Sequence, residues 1–361
     1  MAQLTKLTVR GFKSIRELED FELRNVNVLI GANGAGKSNF MSLFPMMAAI
    51  GQKRLQLYVQ EHDGPDALLF GGRKLTKQMV GEFSFGRVGY RLTLSPSGPR
   101  LIFAREETWS AAGVREGVTR SLATGQDEAQ MLDMSDPTFD LYVLPALATW
   151  RVYHFHDTGV AAPVRQAQPV RDNLLLKPDA SNLAPFLRFL RERYPSEYGR
   201  IVETVRMVAP FLGDFVYRRE AKERVELEWF QAHDLDTPMS PRQLSDGTLR
   251  FISLATLLQQ PAHLQPDTIL IDEPELGLHP AALTILAALL RQAADERQLV
   301  VSTQSVDLVN ELAPEDIVVV SLKNEASTFE RLEAEQLQEW LADYTLGDLW
   351  KMNVIGGRPS R

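Results

Sequence analysis

The sequence predicts an α/β fold: a parallel sheet carrying a phosphate-binding loop, split by a long insertion with an antiparallel β meander and a helical lid. Three observations predict it. An apolar strand at residues 25–30 runs into a glycine-rich loop and then a helix, the context a phosphate loop requires. A short β-rich run at 268–271 ends in two acids, as a strand buried in a parallel sheet can. Between them, residues 79–104 alternate apolar and polar with glycine punctuation, the pattern of antiparallel strands.

Taken in order, residues 4–10 alternate (Leu4, Leu7, Val9) and predict a strand. Residues 25–30 predict a second, and the glycine-free apolar run 39–50 a helix. The meander at 79–104 is punctuated by Gly86, Gly89 and Ser97-Gly98-Pro99. The polar, mixed stretch 105–140 predicts a helix with loose flanks. Residues 150–156 predict a short strand, 181–212 helices and 216–230 strands. Strands then follow at 268–271, 299–302 and 316–322, with a helix at 280–293. The last forty residues read as partly helical, and 356–361 as a loose tail. No internal repeat, low-complexity block or heptad run long enough for a coiled-coil arm is present. This divides the chain into a split core (1–50 with 240–325), an insertion (51–240) and an extension (326–361).

Composition bounds the rest. The 361 residues allow one large domain or two smaller ones. The net charge of −8 argues against a generally basic nucleic-acid binder, though not against a local basic patch. The absence of cysteine excludes disulfides, thiolate metal sites and cysteine nucleophiles. No apolar stretch is long enough to span a bilayer. The first residues lack a signal-peptide pattern, so the expected compartment is the cytoplasm, with no membrane partner.

The strongest motif is Gly31-Ala32-Asn33-Gly34-Ala35-Gly36-Lys37-Ser38, which fits G-x-x-x-x-G-K-[ST] without departure. Glycines let backbone N–H groups wrap a phosphate, and the following helix, entered at Asn39, adds its N-terminal dipole. Lys37 would reach β- and γ-phosphates and the Ser38 hydroxyl would hold Mg²⁺. A glycine turn with an exposed lysine is the bland alternative; the flanking strand and helix favour the phosphate loop. Next comes Thr268-Ile269-Leu270-Ile271-Asp272-Glu273, an apolar strand ending in the acids of a Walker B motif. Asp272 would hold Mg²⁺. Glu273 would orient and deprotonate an attacking water. Alone, this run reads equally well as a buried strand meeting a solvated turn.

The third motif, Leu244-Ser245-Asp246-Gly247-Thr248, opens a helix. A serine and a glycine there make an anion site aimed outward; by itself it reads as an ordinary N-cap. In this order the three motifs resemble the ABC ATPase superfamily, and within it the SMC, RecF and OLD-type heads. The resemblance implies an ABC-type P-loop NTPase head with an antiparallel β subdomain and a helical lid insertion, binding ATP and Mg²⁺. It implies that Ser245, Asp246 and Gly247 face the γ-phosphate held by a second subunit of an ATP-sandwiched homodimer. Asp246 departs from the glycine usual in transporters.

Glu275-Leu276-Gly277-Leu278-His279-Pro280 falls at the D-loop position of those heads. Val300-Val301-Ser302-Thr303-Gln304-Ser305 falls at the switch, where relatives usually carry histidine. Gln304 can hydrogen-bond a phosphate or water but carries no proton, so slow hydrolysis is expected. The opening Val9 to Ile15 resembles the start of the same heads, where the pair here numbered Lys13 and Ser14 lies near nucleotide.

Other signals carry less. His154 and His156 share a strand face, but no second ligand cluster accompanies them. Arg188, Arg191, Arg193 and Arg200 can track DNA phosphates or form a solvated helix face, and the latter is the simpler reading. Met46 and Met47 read as core behind the phosphate loop.

The resemblance implies an ATP-driven dimerising ATPase in a DNA-related process, repair or anti-phage defence, with a separately encoded effector or nuclease-like partner and with DNA as a candidate ligand. A transporter ATPase subunit fits less well, because the stretch from Ser38 to Ser245 is long. A non-catalytic scaffold is kept open by Gln304 and opposed by Glu273. The stretch after Leu322 is too short for a Toprim nuclease.

Overall fold

Four continuous apolar strands need two cores, one on each face, and that requirement organises the molecule. The computed structural model describes residues 3–111, 119–133, 137–218 and 223–357. The elements run β1 (Lys6–Phe12), β2 (Ile15–Glu22), β3 (Val26–Ile30), α1 (Lys37–Gly51), α2 (Leu55–Glu61), and short turns α3 (Pro65–Leu68) and α4 (Gly72–Leu75). Next come β4 (Met79–Phe85), β5 (Val88–Ser97), β6 (Arg100–Ser110), β7 (Thr119–Ala123), α5 (Pro137–Thr149), β8 (Val152–Tyr153) and β9 (Gln168–Pro169). The lid holds α6 (Leu183–Arg193) and α7 (Pro195–Val208), then β10 (Leu212–Val216), β11 (Arg224–Val225), β12 (Glu228–Gln231) and β13 (Asp234–Met239). Last come α8 (Asp246–Gln259), β14 (Thr268–Asp272), α9 (Pro280–Ala294), β15 (Gln298–Thr303), α10 (Val306–Asn310), β16 (Ile317–Lys323), β17 (Ala326–Arg331), α11 (Ala334–Leu341) and α12 (Leu346–Lys351).

The central sheet has the order β17-β16-β3-β15-β14-β8. All its pairings are parallel except β16 with β17. Alternation sends Leu29, Leu270, Val300, Val318 and Val320 into one core with α1 and the second sheet. It sends Val28, Ile30, Ile269, Ile271, Leu299, Val301 and Val319 into the other, with α6 to α9. The second sheet, β2-β1-β4-β5-β6-β7, is antiparallel throughout. Helix α1 is buried at Phe40, Phe44, Met46 and Met47, so the methionine pair is core, as expected.

The reading of 105–140 as a helix is corrected. β6 continues to Ser110, and β7 pairs with it antiparallel, Glu107 opposite Ser121. Beyond a single 3-10 turn at Met131–Asp133, helix in the described residues of this stretch begins at Pro137, in Pro137–Thr149; residues 112–118 and 134–136 lie outside the described residues. Buried acids in mid-strand hid the pattern. Glu106 is fully buried and accepts hydrogen bonds from the Tyr90 hydroxyl (2.9 Å), the Gln130 amide (2.9 Å) and the Met131 amide (3.3 Å). Burial pushes its carboxyl above the ordinary range. The stretch 181–212 is helical only to Val208, and β10 begins at Leu212.

Two expectations for the end of the chain also change. Residues 326–331 form β17, an added strand of the central sheet. The tail is tied down at Gly357, whose carbonyl accepts from the Ala32 amide at 2.8 Å; residues 358–361 lie outside the described residues.

Candidate functional site

Parallel register aligns the carboxyl ends of β3, β14 and β15, with Ile30 opposite Thr303 and Asp272 opposite Ser302. Ligands of open α/β sheets bind at such ends. Here those ends deliver the phosphate loop, Asp272-Glu273 and Gln304 to one edge.

The loop needs its glycines. Gly31, Gly34 and Gly36 have φ of 155°, 79° and 111°, two of them in the left-handed region that favours glycine. A Cβ on Gly36 would collide with Ser327 Oγ. That serine donates to the Ala35 carbonyl (2.6 Å) and accepts from the Ser14 hydroxyl (2.7 Å). Asn39 Nδ2 donates to the same Ser14 hydroxyl at 2.7 Å. Ser14, Asn39 and Ser327 therefore brace the loop from behind.

Lys37 opens α1 and is 5% exposed. Its ammonium donates to the carbonyls of Gly31 (2.7 Å) and Ala32 (3.2 Å). Burial pulls its pKa down, opposed by the charges of Glu273, Asp272 and Glu275. Lys13, at φ 48°, lies over the Phe12 ring and is also pulled down by burial. Ser38 is exposed in the first turn.

Across the loop, Ser302 donates its hydroxyl to Asp272 Oδ1. Glu273 sits at φ 46°, a strained conformation for a non-glycine residue. Its amide donates to the Ser302 carbonyl at 2.9 Å. Gln304 donates its side-chain amide to Glu273 Oε1, and its backbone amide to Glu275 Oε1 at 2.8 Å. Burial raises the Glu275 carboxyl, which bonds with Thr303 and the Gln304 amide only partly offset. Asn33, Gly34, Gly36, Lys37, Ser38, Asn39, Glu273 and Gln304 line one polar cleft of about 420 Å³. Ser14, Ala35 and Asp272 support this cleft without lining it, whereas Lys13 contacts the Phe12 ring and, through its amide, the Leu68 carbonyl.

Ser245, Asp246 and Gly247 do not line the cleft of their own chain. They open α8, where Ser245 caps the helix by accepting from the Thr248 amide at 3.1 Å. Sequence reasoning missed what holds this turn. Arg165 is buried and donates to Thr158 O (2.6 Å), Leu244 O (3.1 Å), Pro241 O and Asp246 Oδ1 (2.8 Å). The aspartate that departs from the transporter glycine is thus half of an ion pair. Arg250, three residues beyond Gly247, donates to Leu276 O (2.9 Å), Phe155 O (3.1 Å) and His156 O (2.8 Å). A Cβ on Gly247 would strike the Gly277 carbonyl. The α8 turn and the 275–280 loop are therefore one packed unit. Arg165 carries no sequence signal; Arg250 lies one turn along the α8 face that opens with Gly247.

His156 reaches the Asp272 carbonyl with its Nε2 at 3.2 Å, so the 154–156 strand end packs beside the site. Among the described residues no group of three or more His, Asp or Glu is placed to hold a metal alone. Three of the four lid arginines are paired, Arg188 with Glu192, Arg191 with Asp214 and Arg200 with Glu197, while Arg193 is exposed. Among the described residues no helix is long and apolar enough to cross a membrane.

Residues 162–310 match the family model described as "AAA domain, putative AbiEii toxin, Type IV TA system". No curated protein matches the sequence. Among solved structures the chain is similar to an SMC head bound to the C-winged helix domain of ScpA. There the TM-score is 0.63 and the identity 17%, covering 93% of this chain and 99% of that one. It is also similar to an Smc head with an extended coiled coil bound to the C-terminal domain of ScpA from Pyrococcus furiosus. That match has a TM-score of 0.58 and 15% identity, covering 95% and 99%. The fold is that of the SMC head domains.

Proposed function

We propose that the chain binds and hydrolyses ATP, closing as a head-to-tail homodimer with two nucleotides at the interface. One observation supports this above all. The phosphate loop, the acid Glu273 and the switch residue Gln304 face one polar cleft, although they are far apart in sequence.

The residues fit a Mg²⁺–triphosphate. Left-handed glycines form a cradle, a buried ammonium lies along it, and a hydroxyl and a carboxylate flank it. Ser38 and Asp272 would hold the ion, which neutralises charge on the phosphate oxygens. Lys37 would exchange one loop carbonyl for β- and γ-phosphate oxygens. Glu273 would accept a proton from water as its oxygen attacks the γ-phosphorus and the bond to the bridging oxygen breaks, giving ADP and phosphate. Gln304 holds Glu273 in place and supplies no proton, so turnover is slow. Ser245 and the α8 N-terminus of the second copy would cover the γ-phosphate. ATP drives closure only through its preference for the closed pair.

The finer role is a DNA-related process, repair or defence, with a separately encoded effector. It rests on the resemblance and on the matched family's description as a putative toxin of a type IV system. ATP turnover by the wild type, abolished in Lys37→Ala, tests the core of the proposal; equal turnover in both would sink it. The second reading, an ATP-dependent scaffold, is favoured by Gln304. It predicts ATP-dependent dimers whose Glu273→Gln variant turns over no more slowly than wild type.

A further inference from the structure

The segment after β17 touches the candidate site in two places that no motif marks. Helix α12 docks on α10, the helix directly after Gln304: the Gly347 amide donates to Asn310 Oδ1 at 2.7 Å. A Cβ on Gly347 would collide with Val306, so only glycine permits this approach. From α12 the chain turns through Gly356 and Gly357, both at φ 80°, and lies against the start of the phosphate loop. The Gly357 carbonyl accepts from the Ala32 amide at 2.8 Å. A Cβ on Gly357 would lie 3.0 Å from Val319 Cγ1, 3.3 Å from Trp350 Nε1 and 3.5 Å from Gly31 Cα.

Ala32 therefore carries three bonds, one of them a local turn in which its carbonyl accepts from the Ala35 amide at 3.1 Å. Its amide is held by Gly357, and its carbonyl, with that of Gly31, holds the ammonium of Lys37. The Ala32 amide and the Gly31 carbonyl share one rigid peptide plane, so holding that amide at Gly357 also orients the carbonyl that accepts from Lys37, and the backbone passes close to Gly31 on the side of the Val320 carbonyl. Next to it, Gly31, Ala32, Gln304, Val306, Trp350 and Gly357 line a cleft of about 400 Å³. The strap spans the two sides of this cleft, from the helix after the switch to the phosphate loop.

We infer that residues 346–357 form an intramolecular strap that sets the phosphate loop: Gly357 is a positioning residue that fixes the Ala32 peptide, and through it Lys37. The inference rests on the nucleotide-binding reading above. The strap removes disorder from the loop before binding, which raises affinity without a new contact.

The test uses the full chain with Gly357→Val, which cannot hold φ 80° without strain and meets Val319, and with Gly357→Ala as the milder step. Nucleotide binding is read by calorimetry with ATP and Mg²⁺ in a Glu273→Gln background, alongside melting temperature and exchange of the Ala32 amide with deuterium. The strap predicts a slowly exchanging Ala32 amide in the unmodified chain without nucleotide. It predicts about tenfold weaker ATP binding in Gly357→Val, a smaller loss in Gly357→Ala, and faster Ala32 exchange in both. Fast exchange in the unmodified chain, or ATP affinity unchanged in Gly357→Val, overturns it. Lys37→Ala separates the two readings. Affinity that survives Lys37→Ala contradicts the phosphate-loop reading itself. Affinity lost there but kept in Gly357→Val contradicts only the strap. If Gly357→Val does not fold, the amide exchange of the unmodified chain and the Gly357→Ala affinity decide.

Discussion

The edge of the central sheet and the turn that opens α8 are built on opposite plans. At the sheet edge, each group with a chemical task sits within a short continuous motif: Gly31 to Ser38, Asp272-Glu273, Ser302 to Gln304. At the α8 turn, Ser245 to Gly247 are equally short, but their position depends on Arg165 and Arg250, whose hydrogen bonds reach Thr158, Phe155 and the 275–280 loop. The difference teaches that chemistry needs residue types in sequence order, whereas positioning needs only a buried donor arriving from anywhere. Substitutions at the edge should therefore change turnover or binding with little cost in folding. Those around α8 should change stability and association together.

The largest expected effect is at the edge. Glu273→Gln keeps the side-chain shape and removes the proton acceptor, so single-turnover hydrolysis should fall by about 10²–10⁴-fold while ATP affinity stays near wild type. Lys37→Ala removes charge-assisted bonds to phosphate and should weaken ATP binding by about 100-fold, roughly 2.7 kcal/mol, read by calorimetry. A loss of melting temperature matching either effect would erase the contrast between the two regions.

Arg165→Ala is the corresponding change at α8. It removes a buried donor from the carbonyls of Thr158, Pro241 and Leu244 and from the Asp246 carboxylate. Stability should fall by about 1–3 kcal/mol in chemical denaturation. ATP binding to the single chain should hold while ATP-dependent dimers weaken.

Glu275 links the regions, since it accepts from the Gln304 amide and begins the loop that packs on α8. Burial raises its folded pKa above the unfolded value of about 4.5, so between the two values the folded state binds more protons. Stability attributable to Glu275 therefore falls as pH rises through that window. Glu275→Gln should flatten this slope in melting curves recorded from pH 4 upward. An unchanged slope would show that the carboxyl is not desolvated in solution.

The smallest effect expected is Asp246→Asn. The Asp246 side chain is 59% exposed, so losing its charge should cost under about 1 kcal/mol. A cost near that of Arg165→Ala would mean the ion pair, and not the carbonyl contacts, holds the turn.

The legibility of the sequence follows the same division. The strands ending at Ile30, Asp272 and Thr303 were readable because both faces are buried and their motifs are contiguous. β6 beyond Phe103 was not, because Glu106 and Glu107 are buried acids that break the alternation, satisfied by Tyr90, two backbone amides, Arg91 and Arg105. β17 was missed because Ala-Ser-Thr-Phe-Glu-Arg carries little apolar pattern, yet its Ser327 braces the phosphate loop. Arg165 and Gly357 act by buried hydrogen bonds across long sequence separations, and no local pattern encodes such a partner.

The most direct test of the central claim is the solution mass of Glu273→Gln with and without ATP and Mg²⁺. The account predicts a monomer without ATP and a dimer with it, and a monomer in both conditions when Ser245→Arg is added to block the α8 N-terminus. A mass that ignores ATP, or a dimer that ignores Ser245→Arg, would contradict closure of the pair over shared nucleotides.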